Sequence, residues 1–208
     1  MTLFTGLQTV VTNLITSTTD LIISTPLGET LFLQNACYRD EFPTPLVPAG
    51  GASAPDQVAY TIGGISTTRY SFDGNNTEER ISGSFEIPHD YKTDEPIEVH
   101  IHWLPATTGA GNVQWHFDWC FLPVDGMPQA ETTLSIVDSV SANQQFYHKI
   151  KAFGNLPTNG YNLGDKILFT LRRSPAGALD TYTGDAILEQ IALHVPVDTF
   201  GSRQVYAK

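Results

Sequence analysis

The run Asn112-Val113-Gln114-Trp115-His116-Phe117-Asp118-Trp119-Cys120-Phe121-Leu122-Pro123-Val124 decides the fold class. Val113, Trp115, Phe117, Trp119 and Phe121 alternate with Gln114, His116, Asp118 and Cys120. A period of two places every apolar side chain on one face, which is the pattern of a half-buried strand. That inner face is strongly aromatic. Ile167, Phe169 and Leu171 repeat the alternation in "DKILFTLRR". In "AILEQIALHVPV", Ile187, Ile191, Leu193, Val195 and Val197 share a face that Glu189 interrupts near its start.

Turn signals recur between these runs: Gly63-Gly64, Asp73-Gly74-Asn75-Asn76, Gly109-Ala110-Gly111-Asn112, Asp125-Gly126, Asn159-Gly160, Gly164-Asp165 and Gly184-Asp185. Many short strands with regular turns predict an all-β sandwich or barrel, of jelly-roll type. "SVSANQQFYHKIKAF" offers room for a short helix, over Gln144 to Lys151, and a loop fits it as well; a helix around Val10 to Ile15 is the weaker alternative to strand there, since Thr is a poor helix former. The Asp73-Gly74-Asn75-Asn76 stretch reads as a hairpin turn, because calcium-loop spacing is missing.

The chain has 208 residues, enough for one sizeable core. Residues 58–208 are expected to form the sandwich. Residues 1–57 read as an apolar, Thr-rich N-terminal arm followed by a Pro/Gly/Ala-rich linker, "FPTPLVPAGGASAPDQ". The arm lacks a basic leader and a long apolar run, so neither a signal peptide nor a membrane span is expected. With 22 acidic residues against 11 Lys and Arg, the chain is a poor partner for nucleic acid. Cys37 and Cys120 belong to no CxxC pair and are expected to be free thiols.

Chemistry concentrates in Val99-His100-Ile101-His102-Trp103. Alternation sends Val99, Ile101 and Trp103 inward and Glu98, His100 and His102 outward. If this strand forms a hairpin with the next, Trp103 beside Val113, then His100 faces His116 and Glu98 faces Asp118. Glu98, His100, His102, His116 and Asp118 would then be candidate metal ligands. The pattern approaches that of the cupins but lacks their preceding glycine and following glutamate. The ligands would also point away from the aromatic core. The favoured reading therefore holds no metal, no cofactor and no catalysis: the imidazoles lie on an outer sheet face, bonded to neighbours or covered by the arm or another subunit. No nucleophile elbow or phosphate-binding Gly-rich loop is present. Arg80, Arg172 and Arg173 read as surface ion-pair partners.

The pieces "EIPHDYKTDEPIEVHIHWLP", "GNVQWHFDWCFLPVDG", "GDKILFTLRR" and "LDTYTGDAILEQIALHVPVDTFGSRQVYAK" resemble a family of tailed-bacteriophage virion proteins over roughly residues 80 to 208. The Pro-His-Asp-Tyr, His-Ile-His-Trp and Gly-Ser-Arg elements carry most of the resemblance. It implies a virion structural protein, a capsid decoration or cement protein, often a jelly-roll homotrimer, assembled in the host cytoplasm and bound to the major capsid protein or another virion protein. A tail, neck or fibre receptor-binding module is the alternative, with Tyr161, Tyr182 and Tyr206 as candidate recognition residues; a metal-dependent cupin-like enzyme is a third. On the leading reading, Leu14, Ile15, Leu21, Ile22 and Ile23 of the arm make the capsid or subunit contact by losing water, and three linked copies gain avidity.

Overall fold

A computed structural model describes residues 37–199, except 51, 52, 76, 94, 158, 159 and 176. The arm residues Leu14, Ile15, Leu21, Ile22 and Ile23, and Tyr206, lie outside the described residues. The described residues form eleven strands: β1 (Cys37–Glu41), β2 (Val47–Pro48), β3 (Asp56–Ile62), β4 (Ile65–Phe72), β5 (Glu79–Glu86), β6 (Ile97–Pro105), β7 (Gly111–Leu122), β8 (Thr132–Val140), β9 (Lys149–Leu156), β10 (Lys166–Arg173) and β11 (Ala186–Val197). No helix occurs among the described residues. In the stretch considered for one, Asn143 and Phe146 adopt positive φ, 66° and 59°, which a right-handed helix excludes.

Two antiparallel sheets result. The first runs β3-β4-β11-β6-β9, with β1 paired to the C-terminal half of β11; the second runs β2-β5-β10-β7-β8. From β4 onward the chain changes sheet at every connection except β7–β8, giving a double-sheet jelly roll. The all-β jelly-roll sandwich read from the sequence is the fold. The stretch before residue 58 adds to it: β1 joins the first sheet and β2 the second.

The alternating apolar residues of both sheets meet in one core. Trp103 of β6 meets Trp115 of β7 edge to face at 6.1 Å, and Phe117 stacks on Phe169 at 5.1 Å. All three tryptophans are buried. In β11 a bulge at Glu189 moves the inward phase from Ala186 and Leu188 to Ile191, Leu193, Val195 and Val197. Ile187 is therefore turned away from the face it was expected to share.

Two turn readings are corrected by the topology. Asp73–Glu79 does not close a hairpin, because β4 and β5 belong to different sheets. It is a crossing corner, with the Gly74 amide donating to Asp185 Oδ1 at 3.2 Å. A Cβ on Gly74 would lie 2.3 Å from the Thr183 carbonyl oxygen, so only glycine fits. The 106–110 loop likewise joins β6 and β7 across sheets. It bonds to the loop before β11: Ala106 N donates to Asp185 O, and Thr107 N donates to the Tyr182 hydroxyl. Gly111, at φ 152°, gives room for the Thr181 and Tyr182 backbone, which a Cβ would meet at 2.7 Å.

Arg173 is a further correction. It is fully buried instead of lying at the surface. Its guanidinium forms a bidentate pair with Asp180 at 3.0 and 2.9 Å and donates to the carbonyls of Phe72, Gly184 and Tyr182. One side chain thus ties the end of β10 to the end of β4 and to the loop that precedes β11.

Candidate functional site on the outer face of the first sheet

The jelly-roll crossing divides the expected ligand set. Glu98, His100 and His102 lie on β6 in the first sheet, whereas His116 and Asp118 lie on β7 in the second. Because both strands turn their apolar residues into the shared core, their polar residues face opposite sides of the molecule. The five residues form no common site. His116 Nδ1 shares a hydrogen bond with Ser135 Oγ at 2.7 Å. Asp118 accepts from Arg172 Nε at 2.6 Å and from Thr133 at 2.7 Å. Arg172 also reaches Glu78 at 2.8 Å, and Glu78 pairs with Arg80. Burial acts to raise Glu78, but hydrogen bonds from Ser174, Arg80 and Arg172 prevail and hold it at about 2. Asp118 is lowered too, the Arg172 and Thr133 bonds outweighing burial.

The first sheet gathers a different set. β11 lies between β6 and β1, and its polar phase after the bulge is Gln190, Ala192 and His194. His194 is paired across the ladder with Asp40 on β1 and with Glu98 on β6. Its Nδ1 lies 3.2 Å from Asp40 Oδ1. His100 Nε2 points at the same oxygen from 3.9 Å. The Tyr38 ring stacks on His194 at 4.8 Å. Beside them, His102 Nδ1 and His148 Nε2 share a hydrogen bond at 2.9 Å, and the His100 and His102 rings are 5.1 Å apart. Four imidazoles therefore line one outer face. Burial lowers the pKa of His100 and of His102; neighbouring imidazoles add to both shifts, while Asp40 opposes them. At neutral pH these two rings are uncharged and available as ligands or hydrogen-bond partners.

A cleft of about 710 Å³ adjoins the histidines, lined among others by Ile65, Leu104, Phe146, His148, Arg69 and Glu189. Arg69 pairs with Glu189 at 3.1 Å. Of the site residues, sequence reasoning found His100, His102 and Glu98. It missed Asp40, His148 and His194. His194 was legible as the polar phase of β11; Asp40 was not, because it sits in a segment assigned to the arm. Of the recognition tyrosines considered for a receptor-binding module, Tyr161 and Tyr182 are buried, and Tyr206 lies outside the described residues.

No protein-family model matches the chain, and no curated protein matches it. Solved structures of similar fold include a carbohydrate-binding module specific for non-crystalline cellulose, with TM-score 0.43 and 9% identity over 71% of this chain and 86% of that one. The xylan-binding domain of a Paenibacillus barcinonensis protein gives 0.40 and 11%, covering 83% and 97% of the two chains. A chain of infectious bursal disease virus gives 0.37 and 10%, covering 78% and 33%.

Proposed function

We propose that the chain is a structural protein of a tailed-phage virion, a capsid decoration protein that is no enzyme, assembles as a homotrimer and binds the capsid lattice. The observation that carries this reading is the outer face of the first sheet. Tyr38 is 56% exposed, Ile65 71% and Ile150 58%, and all three adjoin the histidine row. Large apolar side chains grouped on one sheet face are a contact surface in search of a partner. The aromatic core beneath makes that face a rigid platform. The sequence resemblance over residues 80–208 supplies the virion setting.

Native mass spectrometry of the full chain tests the assembly step. Ile150→Asp with Ile65→Asp should convert trimer to folded monomer, since both residues are exposed and their replacement leaves the core intact. A wild-type monomer at micromolar concentration would refute the homotrimer. The arm is tested separately by deleting residues 1–36, which spares β1. The truncated chain should keep its fold and lose capsid binding; undiminished decoration of capsids would rule out the arm as the lattice contact.

A further inference from the structure

We infer that Asp40, His100 and His194 form a binding site for one divalent transition-metal ion of the zinc class. The three residues come from three adjacent strands, β1, β6 and β11. One donor atom from each lies within 4.8 Å of the other two. Two imidazole nitrogens and one carboxylate oxygen are a donor set that suits zinc, nickel, cobalt or iron better than the oxygen-preferring calcium or magnesium.

An Asp–His hydrogen bond alone would satisfy Asp40 and His194. It leaves unexplained why His100, from another strand, aims Nε2 at the same Oδ1 of Asp40. Bonds of roughly 2.0–2.1 Å in a tetrahedron imply donors roughly 3.3 Å apart. The Asp40–His194 edge, at 3.2 Å, already has that spacing. His100, at 3.9 Å from Asp40, needs a movement of about an ångström or less on that edge to meet the same spacing. Asp40 is exposed and able to rotate, whereas His100 is only 7% exposed and fixes the floor of the site. Outer partners are in place: Tyr38 holds the His194 ring from one side, and Glu98, paired with His194 across the ladder, adds a second negative charge nearby. Three protein donors leave a fourth position open to water.

This site goes beyond the virion reading. It is tested on the purified full-length chain without capsids, so either can fail alone. Zn²⁺ is added to chelator-treated protein and followed by native mass spectrometry and calorimetry; Co²⁺ is added in parallel and followed by its visible absorption. One ion per chain is expected. Asp40→Asn and His194→Ala should each weaken Zn²⁺ binding at least tenfold while circular dichroism and melting temperature stay near wild type. His116→Ala, on the opposite sheet, should bind as the wild type does. Absence of stoichiometric binding overturns the site. So does binding that survives Asp40→Asn and His194→Ala but is lost in His148→Ala, which would move the ion to the His102–His148 pair.

Discussion

The two outer faces of the sandwich carry the same side-chain types and treat them oppositely. On the second sheet, His116, Asp118 and Glu78 are engaged by Arg172, Arg80, Ser135 and Thr133. On the first, His100 and His194 share the exposed carboxylate of Asp40, His102 and His148 bond each other, and Arg69, on the same face, is bound to Glu189. A polar group supplied with its own counter-charge stabilises the fold and has little capacity left for a ligand. A row of imidazoles without an arginine bound into it keeps donors free. The difference explains why the sequence motif His-x-His is not by itself the site: its sheet decides what its neighbours are.

The largest effect expected from this contrast belongs to the second sheet. Arg172→Met would leave Asp118, which is buried, with Thr133 as its one side-chain donor, and Glu78 with Arg80 and Ser174 only. Hydrogen bonds to charged groups are worth about 1.5–3 kcal/mol, and the loss should fall in that range. Urea unfolding at neutral pH measures it. A loss below half a kilocalorie would show that the second face is solvated like the first, and the contrast would be broken.

Acid titration separates the faces without mutation. His100 and His102 have folded pKa values below the ordinary 6.5, burial being the main cause. The unfolded chain then binds more protons than the folded one. Stability from these rings is complete above pH 6.5 and is lost as pH falls through their folded values. Glu78, lowered from 4.5 to about 2, keeps its contribution above pH 4.5 and loses it as pH falls toward 2. The stability these groups supply should therefore be lost in two stages, first-face histidines before second-face carboxylates, against an opposing gain from Glu79, which burial raises to about 7. His116 is also lowered by burial and falls in the earlier stage. The double variant His100→Gln, His102→Gln should remove more of that stage than His116→Gln. Equal effects from the two would place the acid sensitivity on both faces alike.

The faces themselves were readable from alternation; their partners were not. The parity that sends Trp103 and Trp115 inward is the same for a hairpin and for two strands facing each other across a core. Alternation along β6 and β7 cannot distinguish them. The distinction lies in the 106–110 loop, which bonds to residues 181–185, over seventy positions away. The bulge at Glu189 was visible only as a break in the pattern, and its consequence, the reversal of phase in β11, appears once the ladder with β6 is known. Arg173 escaped for another reason. Adjacent arginines at a strand end look alike in sequence, yet the pleat turns Arg172 outward to Asp118 and Arg173 inward to Asp180. A buried arginine needs a carboxylate and carbonyls around it, and those come from the loop that follows.

The smallest effect compares one histidine from each face. His116 is half-buried and bonds Ser135, which is exposed, at 2.7 Å; His148 is exposed and bonds His102 at 2.9 Å. Removing His116 loses a bond from a partly dry site and should cost about 1 kcal/mol. Removing His148 opens His102 to water, which replaces the lost partner, so His148→Ala should cost under about 0.5 kcal/mol. Thermal melts of the two alanine variants at pH 8 read the difference. The order matters more than the size. If His148→Ala were the more damaging, the first-face histidines would be bound into the fold as firmly as the second-face network, and their donors would no longer be spare.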